Sequence, residues 1–379
     1  MNRSKGVYEI KKKGVFRLFK KVINFNSGPA ALPLEVLQKV QSELLDYKNT
    51  NMSILEISHR SQEFEIMIME AEKNIMDIYC LSDDYQVLFL QGGASFQFAM
   101  IPYNFLPVHK VANYVITGIF AEKAWKEASR IGESHIAASS KENNFSFIPK
   151  SWDIKLSPAP AYLHLTTNNT IFGTQWHEIP SSFSVPLVAD MSSDILSRPI
   201  NMTQFSLVYA GAQKNLMISG LTLVIIKKSF LEGAVKKLPA IMSYKVHADN
   251  RSLYSTPPCF SIYMLNEALK WIKDQGGLQA VGARNQEKAS ILYSVIDNSG
   301  GFYKGYAEKK DRSLMNVTFH LPSKDLERAF LEEAASLNMV GLQGHYLLGG
   351  IRASTYNAMS VEGCKTLSEL MKDFIKRYG

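Results

Sequence analysis

Lys214 and Asp190 are the two residues whose types and sequence surroundings point to chemistry at a carbonyl group. Lys214 follows a predicted strand, 205–209, and stands among small residues in the run 209–216. Burial of a lysine disfavours its charged form and leaves a free amine, which is the form that attacks a carbonyl. A solvated loop lysine is the alternative that this stretch alone leaves open.

Asp190 ends a second predicted strand, 185–190, and lies 24 residues before Lys214. This separation allows one crossover between parallel strands, which then present both side chains at the carboxyl edge of a sheet, where ligands bind. Pyridoxal phosphate requires a lysine that holds its aldehyde as a Schiff base and an aspartate that keeps its pyridinium nitrogen protonated. An Asp–Lys ion pair without any ligand remains the alternative on spacing alone.

Seven short motifs follow one another in the order found in a known enzyme family. They read NFNSGPA at 24–30, SHR at 58–60, GG at 92–93, AD at 189–190, AGAQKN at 210–215, TPP at 256–258 and GGIRAS at 349–354. On these motifs the chain resembles the phosphoserine aminotransferases, a family of class V, fold-type I pyridoxal-phosphate enzymes, from about residue 23 to residue 379. Each motif is weak by itself, and their common order makes the resemblance specific.

The resemblance implies an α/β fold, with a mainly parallel seven-stranded sheet, helices on both faces and a smaller α+β domain. It implies amino transfer between L-glutamate and 3-phosphohydroxypyruvate, giving 2-oxoglutarate and L-phosphoserine, and it also allows a 4-phosphohydroxythreonine substrate from vitamin B6 synthesis. The expected domains are a cofactor domain at 36–275 and a small domain at 276–379, which the segment 23–35 joins. The expected assembly is a cytoplasmic homodimer with shared active sites.

Cofactor binding is expected at the carboxyl ends of several predicted strands. The glycine turn at 92–93 lies between a predicted strand and a helix, a geometry that aims backbone N–H groups at a phosphate. By resemblance, the cofactor-binding residues are Ala94, Ser95, Phe120, Thr170, Asp190, Gln213 and Lys214, with Ser255 and Thr256 from a second copy of the chain. Phe120, where tryptophan is common, is expected to stack on the cofactor ring, and Thr170 to bind its hydroxyl. Ser255 stands where asparagine is frequent in the family. Ser95 stands where some members have arginine, so this chain follows the other family pattern, with serine.

The resemblance assigns substrate binding to Ser27, His59, Arg60, His345 and Arg352. Arg352 stands in an apolar predicted strand, where a guanidinium is unfavourable without an anion, and it is expected to grip the substrate α-carboxylate with two hydrogen bonds. His59 and Arg60 precede a predicted helix, where cations oppose the helix dipole unless an anion lies between them. Tyr346 stands where the family usually has arginine, which leaves Arg60 as the permanent cation expected for the distal anion.

The net charge of +7 comes from the first 22 residues, which hold eight Lys or Arg and one acid. The other 357 residues carry 34 basic and 34 acidic side chains, so they offer no electrostatic case for nucleic-acid binding. Residues 1–22 are predicted to be a basic, disordered extension, for which contact with a membrane or nucleic acid stays open. The three cysteines have no paired spacing, which argues against a disulfide framework or a zinc site and fits a reducing cytoplasm.

Two other kinds of function stay open at this point. Another class V enzyme, acting on a non-phosphorylated amino acid, would keep both Lys214 and Asp190. A cysteine desulfurase would need a mobile catalytic cysteine, and Cys364 in the last predicted helix is badly placed for that role. A non-catalytic pyridoxal-phosphate-binding protein would keep Lys214 without any amino transfer.

Overall fold

The computed structural model describes residues 7–12, 15–20, 22–180 and 183–379. Its strands are β1 Val7–Lys12, β2 Val15–Lys20, β3 Ile23–Asn24, β4 Tyr85–Leu90, β5 Val111–Ile116, β6 Ser134–Ser139, β7 Pro160–Thr166, β8 Asn168–Asn169, β9 Thr174–Gln175, β10 Leu187–Asp190, β11 Leu207–Gly211, β12 Thr222–Lys227, β13 Lys304–Gly305, β14 Asn316–His320, β15 Met339–Val340 and β16 Ile351–Ser354. Its helices are α1 Leu34–Glu43, α2 Gln62–Tyr79, α3 Gly93–Phe105, α4 Ile119–Ile131, α5 Lys228–Glu232, α6 Tyr244–Asp249, α7 Cys259–Asp274, α8 Gly277–Asp297, α9 Lys324–Ser336 and α10 Val361–Tyr378. Among the residues described, no helix is both long and apolar enough to cross a membrane.

The large domain is built on a seven-stranded sheet with the strand order β4-β12-β11-β10-β7-β5-β6. The strands β11, β10, β7, β5 and β6 run parallel, whereas β12 is antiparallel to both β11 and β4. The connection from β11 to β12 is too short for the crossover that a parallel pair needs. The prediction of a mainly parallel seven-stranded sheet is therefore confirmed.

Apolar side chains cover both faces of this sheet, because successive residues of a strand point to opposite faces. On β7, Leu163 and Leu165 belong to a core that includes residues of α2 and α7. Tyr162, the residue directly before Leu163, belongs to a second core with residues of α3 and α4. Since both faces are buried, the carboxyl ends of β7, β10 and β11 form a well-supported edge.

The small domain consists of the antiparallel sheet β13-β14-β16 and the helices α8, α9 and α10, which enclose one core. β3 pairs in parallel with β15, and Phe25 is buried in the same core. A few residues later, the N–H of Ala30 donates to the carbonyl of Gln213 in the large domain at 3.0 Å. The chain therefore crosses from the small domain to the large domain around Ser27. The domain boundaries at 35 and 275 stay predictions.

β1 and β2 form an antiparallel hairpin within the basic N-terminal region. Both strands, VYEIKK and VFRLFK, contain β-branched and aromatic residues, which favour extended backbone. The described backbone therefore differs from the disordered extension that was predicted from charge. Residues 1–6, 13–14 and 21 of the predicted extension lie outside the described residues.

Candidate active site

Lys214 lies at the carboxyl edge of the large sheet, just beyond the end of β11. Its side chain is half-buried, and its Nζ donates a hydrogen bond to Thr170 Oγ1 at 2.7 Å. The same Nζ lies 4.7 Å from the centroid of the Phe120 ring. Desolvation lowers the pKa of the amine to about 8, against the opposing effect of the Asp190 charge. The neutral, nucleophilic form of the amine is therefore accessible at mildly alkaline pH.

Asp190 is the last residue of β10, and only 5% of its surface is exposed. Its Oδ1 accepts hydrogen bonds from the backbone N–H of Ser192 at 2.9 Å and from Ser192 Oγ at 2.6 Å. Ser192 Oγ also accepts from the N–H of Gly211 at 3.0 Å, which ties the carboxylate to the end of β11. Burial raises the pKa of Asp190, whereas the Lys214 charge and the Ser192 hydrogen bonds favour the carboxylate. Within the described chain Oδ2 accepts no hydrogen bond, so it is the oxygen that can meet a ligand.

Arg352 extends from β16 of the small domain to the same edge. Its Nη2 donates to Ser27 Oγ at 2.7 Å, and its Nη1 donates to the Thr170 carbonyl at 3.4 Å. Its Nε is buried without a hydrogen-bond partner, and desolvation lowers the pKa of the guanidinium. No carboxylate of the described residues pairs with this group. Such a guanidinium is arranged to receive an anion from outside the chain.

The loop that carries Ser27 passes directly over Lys214. Gly28 has φ +143°, and a Cβ at this position would meet Lys214 Cγ at 3.2 Å. A glycine is needed here for two reasons, since side chains rarely adopt this φ and the approach leaves little space. The close approach brings Ser27, and with it Arg352, next to the amine of Lys214.

A second group of hydrogen-bond donors forms where α3 begins. Gly92, with φ +98°, caps this helix, and Ala94 and Ser95 lie in its first turn, whose N–H groups have no helical acceptor. A Cβ added to Gly211 would meet Ala94 N at 3.3 Å and Gln213 Nε2 at 3.4 Å, so these two donors converge on one point. Backbone N–H groups at a helix N-terminus are suited to a phosphate.

These groups fit pyridoxal phosphate. The free oxygen of Asp190 suits a pyridinium nitrogen, and the Phe120 ring beside the amine suits one face of a pyridine. The donors of Ala94 and Gln213 suit a phosphate, and Lys214 suits an aldehyde. In the described part of the chain, no group of His, Cys, Asp and Glu could hold a metal ion.

The turn at Ser255 and Thr256 lies near the start of α3 but not at Lys214. Gln91 Nε2 donates a hydrogen bond to the Thr256 carbonyl. A cavity of about 230 Å³ is lined by both Ser255 and Gly92. Within the described chain, neither Ser255 nor Thr256 hydrogen-bonds to Lys214. Within one chain, the turn at residues 255–256 is therefore not joined to the amine of Lys214.

His59 and Arg60 are also not joined to Lys214 within one chain. Arg60 is exposed and His59 is half-buried. The backbone N–H of Arg60 donates to Ser58 Oγ at 3.2 Å, and in the described chain neither side chain makes a hydrogen bond or ion pair with Lys214 or Arg352. A site that uses these two residues has to receive them from elsewhere.

His345, in contrast, lies close to the guanidinium of Arg352. Desolvation lowers the pKa of His345, and the neighbouring positive charge of Arg352 lowers it further. His345 Nδ1 accepts a hydrogen bond from the N–H of Leu347 at 3.3 Å, which indicates that the other ring nitrogen carries the proton. Tyr346 is 86% exposed, so it is not held against Arg352.

Sequence reasoning missed Tyr356 and Asn357, which connect the parts of the site. The Tyr356 hydroxyl donates to the Ser27 carbonyl at 2.9 Å, and the N–H of Asn357 donates to Asn215 Oδ1 at 2.9 Å. These bonds tie the chain after β16 to the Ser27 loop and to the loop after β11. The sequence feature that could have indicated these two residues is the polar stretch directly after the GGIRAS motif.

The fold and the site together are those of a class V aminotransferase, and the model of the family Aminotransferase class-V matches residues 22–367. The phosphoserine aminotransferase of Halalkalibacterium halodurans is 54% identical over 359 residues, which are 95% of this chain and 99% of that protein. The chain therefore belongs to the phosphoserine aminotransferase family. The resemblance predicted from seven motifs is confirmed.

Solved structures of the same family agree with the fold. A phosphoserine aminotransferase from Bacillus circulans subsp. alkalophilus has a TM-score of 0.93 at 50% identity, covering 95% of this chain and 100% of that one. A PLP-bound phosphoserine aminotransferase from Trichomonas vaginalis has a TM-score of 0.88 at 35% identity, covering 93% and 100% of the two chains. The matches thus extend over nearly all of this chain and over the full length of each solved chain.

Proposed function

We propose that the protein uses pyridoxal 5′-phosphate to transfer the amino group of L-glutamate to 3-phosphohydroxypyruvate, which gives 2-oxoglutarate and L-phosphoserine. The observation that carries this proposal is the meeting of Lys214, Asp190 and the unpaired guanidinium of Arg352 at one edge of the sheet. The phosphorylated substrate follows from the relatives, which are phosphoserine aminotransferases over nearly their full length. Neither a class V enzyme for non-phosphorylated amino acids nor a non-catalytic protein is favoured by these relatives. The 4-phosphohydroxythreonine reaction stays a prediction.

Each residue of the site has a defined task in this reaction. Bound pyridoxal phosphate supplies an electron-accepting ring that makes the Cα proton of an amino acid labile. Arg352 holds the α-carboxylate through two N–H groups, which turns the Cα–H bond toward Lys214. Lys214 Nζ accepts this proton as a general base, and Thr170 Oγ1 keeps the amine in place. Asp190 holds a proton on the ring nitrogen through its free oxygen.

The phosphate preference is the test of the proposed substrate. Wild-type protein is expected to react faster with L-phosphoserine than with L-serine or L-alanine. Arg60→Ala should strongly reduce this preference, and Tyr346→Arg should increase it by roughly 5- to 150-fold, because a charge-assisted hydrogen bond contributes about 1–3 kcal/mol. The single-turnover reaction of each amino acid is followed by the colour change of the bound cofactor. Equal rates for L-phosphoserine and L-alanine in the wild type would identify a different class V aminotransferase.

The active site is proposed to be shared between two copies of the chain in a homodimer. Two observations support this: within one chain, Arg60 does not reach Arg352, and Thr256 does not reach Lys214. In a symmetric dimer, each copy can supply the groups that are missing from the site of the other copy. The same surface forms the interface on both copies, so the two sites are completed in the same way. The proposed location is the cytoplasm, because the described cysteines Cys80, Cys259 and Cys364 are free.

Mixing two inactive variants tests the shared site. Lys214→Ala lacks the amine and Arg60→Ala lacks the distal cation, so each variant alone should turn over L-phosphoserine poorly. After subunit exchange, half of the dimers are hybrids with one complete site, and about a quarter of the wild-type rate should return. The control is each variant exchanged with itself. No recovery in the mixture, with exchange verified by mass, would place Arg60 and Lys214 of an active site in the same chain.

A further inference from the structure

Lys123 lies over the cofactor side of the site, although no sequence motif includes it. It follows Phe120 by one turn of α4, and residues three apart share a helix face. Its Nζ lies 5.7 Å from the centroid of the Phe120 ring, and the Nζ of Lys214 lies 4.7 Å from the same centroid. Two lysine amines therefore meet at one aromatic ring.

The charge of Lys123 is not neutralised by the described residues around it. Its neighbour Glu122 is engaged by other cations, Lys126 at 2.9 Å and Lys141 at 3.1 Å. No ion pair of the described chain includes Lys123, and its side chain is exposed. An exposed ammonium without a carboxylate partner is free to bind an anion that arrives from solvent.

Other positive charges converge on the same place. The charges of Arg352 and Lys123 both lower the pKa of His345, after the larger effect of desolvation. Lys123 therefore lies on the side of the site where His345 and Arg352 meet. The positive charges of Lys123 and Arg352 together give this side of the site a positive potential, which attracts an anion.

We propose that Lys123 binds the distal phosphate of the substrate and supplies the cation that is absent at residue 346. This assignment rests on the proposed function, because it presumes a phosphorylated substrate. Arg352 is occupied by the α-carboxylate in that function, and Tyr346 is exposed and uncharged. A lysine on a flexible stem acts on phosphate as a point charge, so it does not need the fixed geometry of an arginine fork.

The experiment compares Lys123→Gln with Lys126→Gln, a matched control on the same helix. Lys126 is paired with Glu122 and is not part of the site. Binding of 3-phosphoglycerate and of glycerate to the holoenzyme is measured by calorimetry, since neither ligand carries an amino or oxo group that could react. Lys123→Gln is expected to weaken 3-phosphoglycerate binding at least about fivefold, with glycerate and the control unchanged. Lys123→Arg should restore most of the loss.

The outcomes separate this inference from the function on which it rests. If wild type binds 3-phosphoglycerate no better than glycerate, the phosphorylated substrate itself is wrong. If wild type prefers 3-phosphoglycerate and Lys123→Gln keeps that preference, the function stands and the assignment of Lys123 is overturned. An equal loss for both ligands would also overturn it, because Lys123 would then act through the position of Phe120 rather than on the phosphate.

Discussion

Lys214→Ala is expected to remove the visible absorbance of the bound cofactor and to lower amino transfer by roughly 10⁴-fold or more, since the amine is both the point of attachment and the general base. Absorbance spectra of the purified variant and its turnover of L-glutamate measure the two effects. Because desolvation lowers the pKa of Lys214 to about 8, the neutral amine increases as pH rises through that value. The rate at which the wild-type apoprotein takes up the cofactor should rise over the same range and then level off.

Lys288, a lysine outside the site, provides a matched control. Lys288 is 2% exposed, and burial lowers its pKa to about 7. Its Nζ donates to the carbonyls of Thr355, Tyr356 and Met359 at 2.9, 2.8 and 3.1 Å. Lys288→Met is therefore expected to lower the thermal midpoint and to keep the absorbance, because the three carbonyls lose their donor. Full activity in Lys214→Ala would contradict the site as described.

Those two lysines show what sequence reasoning could and could not decide. Lys214 was found because it follows an apolar strand and stands among small residues, which are local features of the chain. Lys288 lies in the middle of α8, where helical periodicity gives no sign that its amine is buried. Burial of a long side chain depends on what packs over it, and the turn that covers Lys288 comes from about seventy residues later in the chain.

The direction of β12 relative to β11 follows from the sequence for a related reason. The short connection between β11 and β12 excludes a parallel pair, whatever the rest of the chain does. The glycine turn at 92–93 is predicted to precede the helix, whereas α3 begins at Gly93. Glycine has low helix propensity, so the sequence favours a loop at 92–93, whereas the structure includes Ala94 and Ser95 in the helix and brings the Ala94 N–H close to Gly211.

Residues that meet only in three dimensions were beyond the sequence. The charge of Lys123, on a helix of the large domain, lowers the pKa of His345, on a loop of the small domain. Tyr356 reaches Ser27 across the same division. The position of Arg60 is unpredictable for a different reason, because one chain does not bring Arg60 to Arg352. The sequence of one chain carries no direct information on how a second copy packs against it.

Arg352→Gln is expected to weaken both half-reactions, with L-glutamate and with L-phosphoserine, by the same factor. Both amino acids present an α-carboxylate, and loss of one partner of a buried charge pair costs about 2–5 kcal/mol, or roughly 30- to 5,000-fold in kcat/KM. Arg352→Lys should recover little, since an ammonium does not reproduce the two parallel N–H groups. Steady-state rates with each amino donor measure these effects.

The stability of the same variant distinguishes a binding role from a structural one. In the absence of substrate, the guanidinium has a buried Nε without a partner and no carboxylate beside it among the described residues. Removing a partly desolvated charge that has no carboxylate partner removes an unfavourable contribution to the free energy of folding. The thermal midpoint of Arg352→Gln should therefore equal or exceed that of the wild type. A clear fall would show that the bond to Ser27 Oγ supports the fold. A loss confined to L-phosphoserine would instead place Arg352 at the phosphate, because the two amino acids share the α-carboxylate and differ in the distal group, a phosphate in one and a γ-carboxylate in the other.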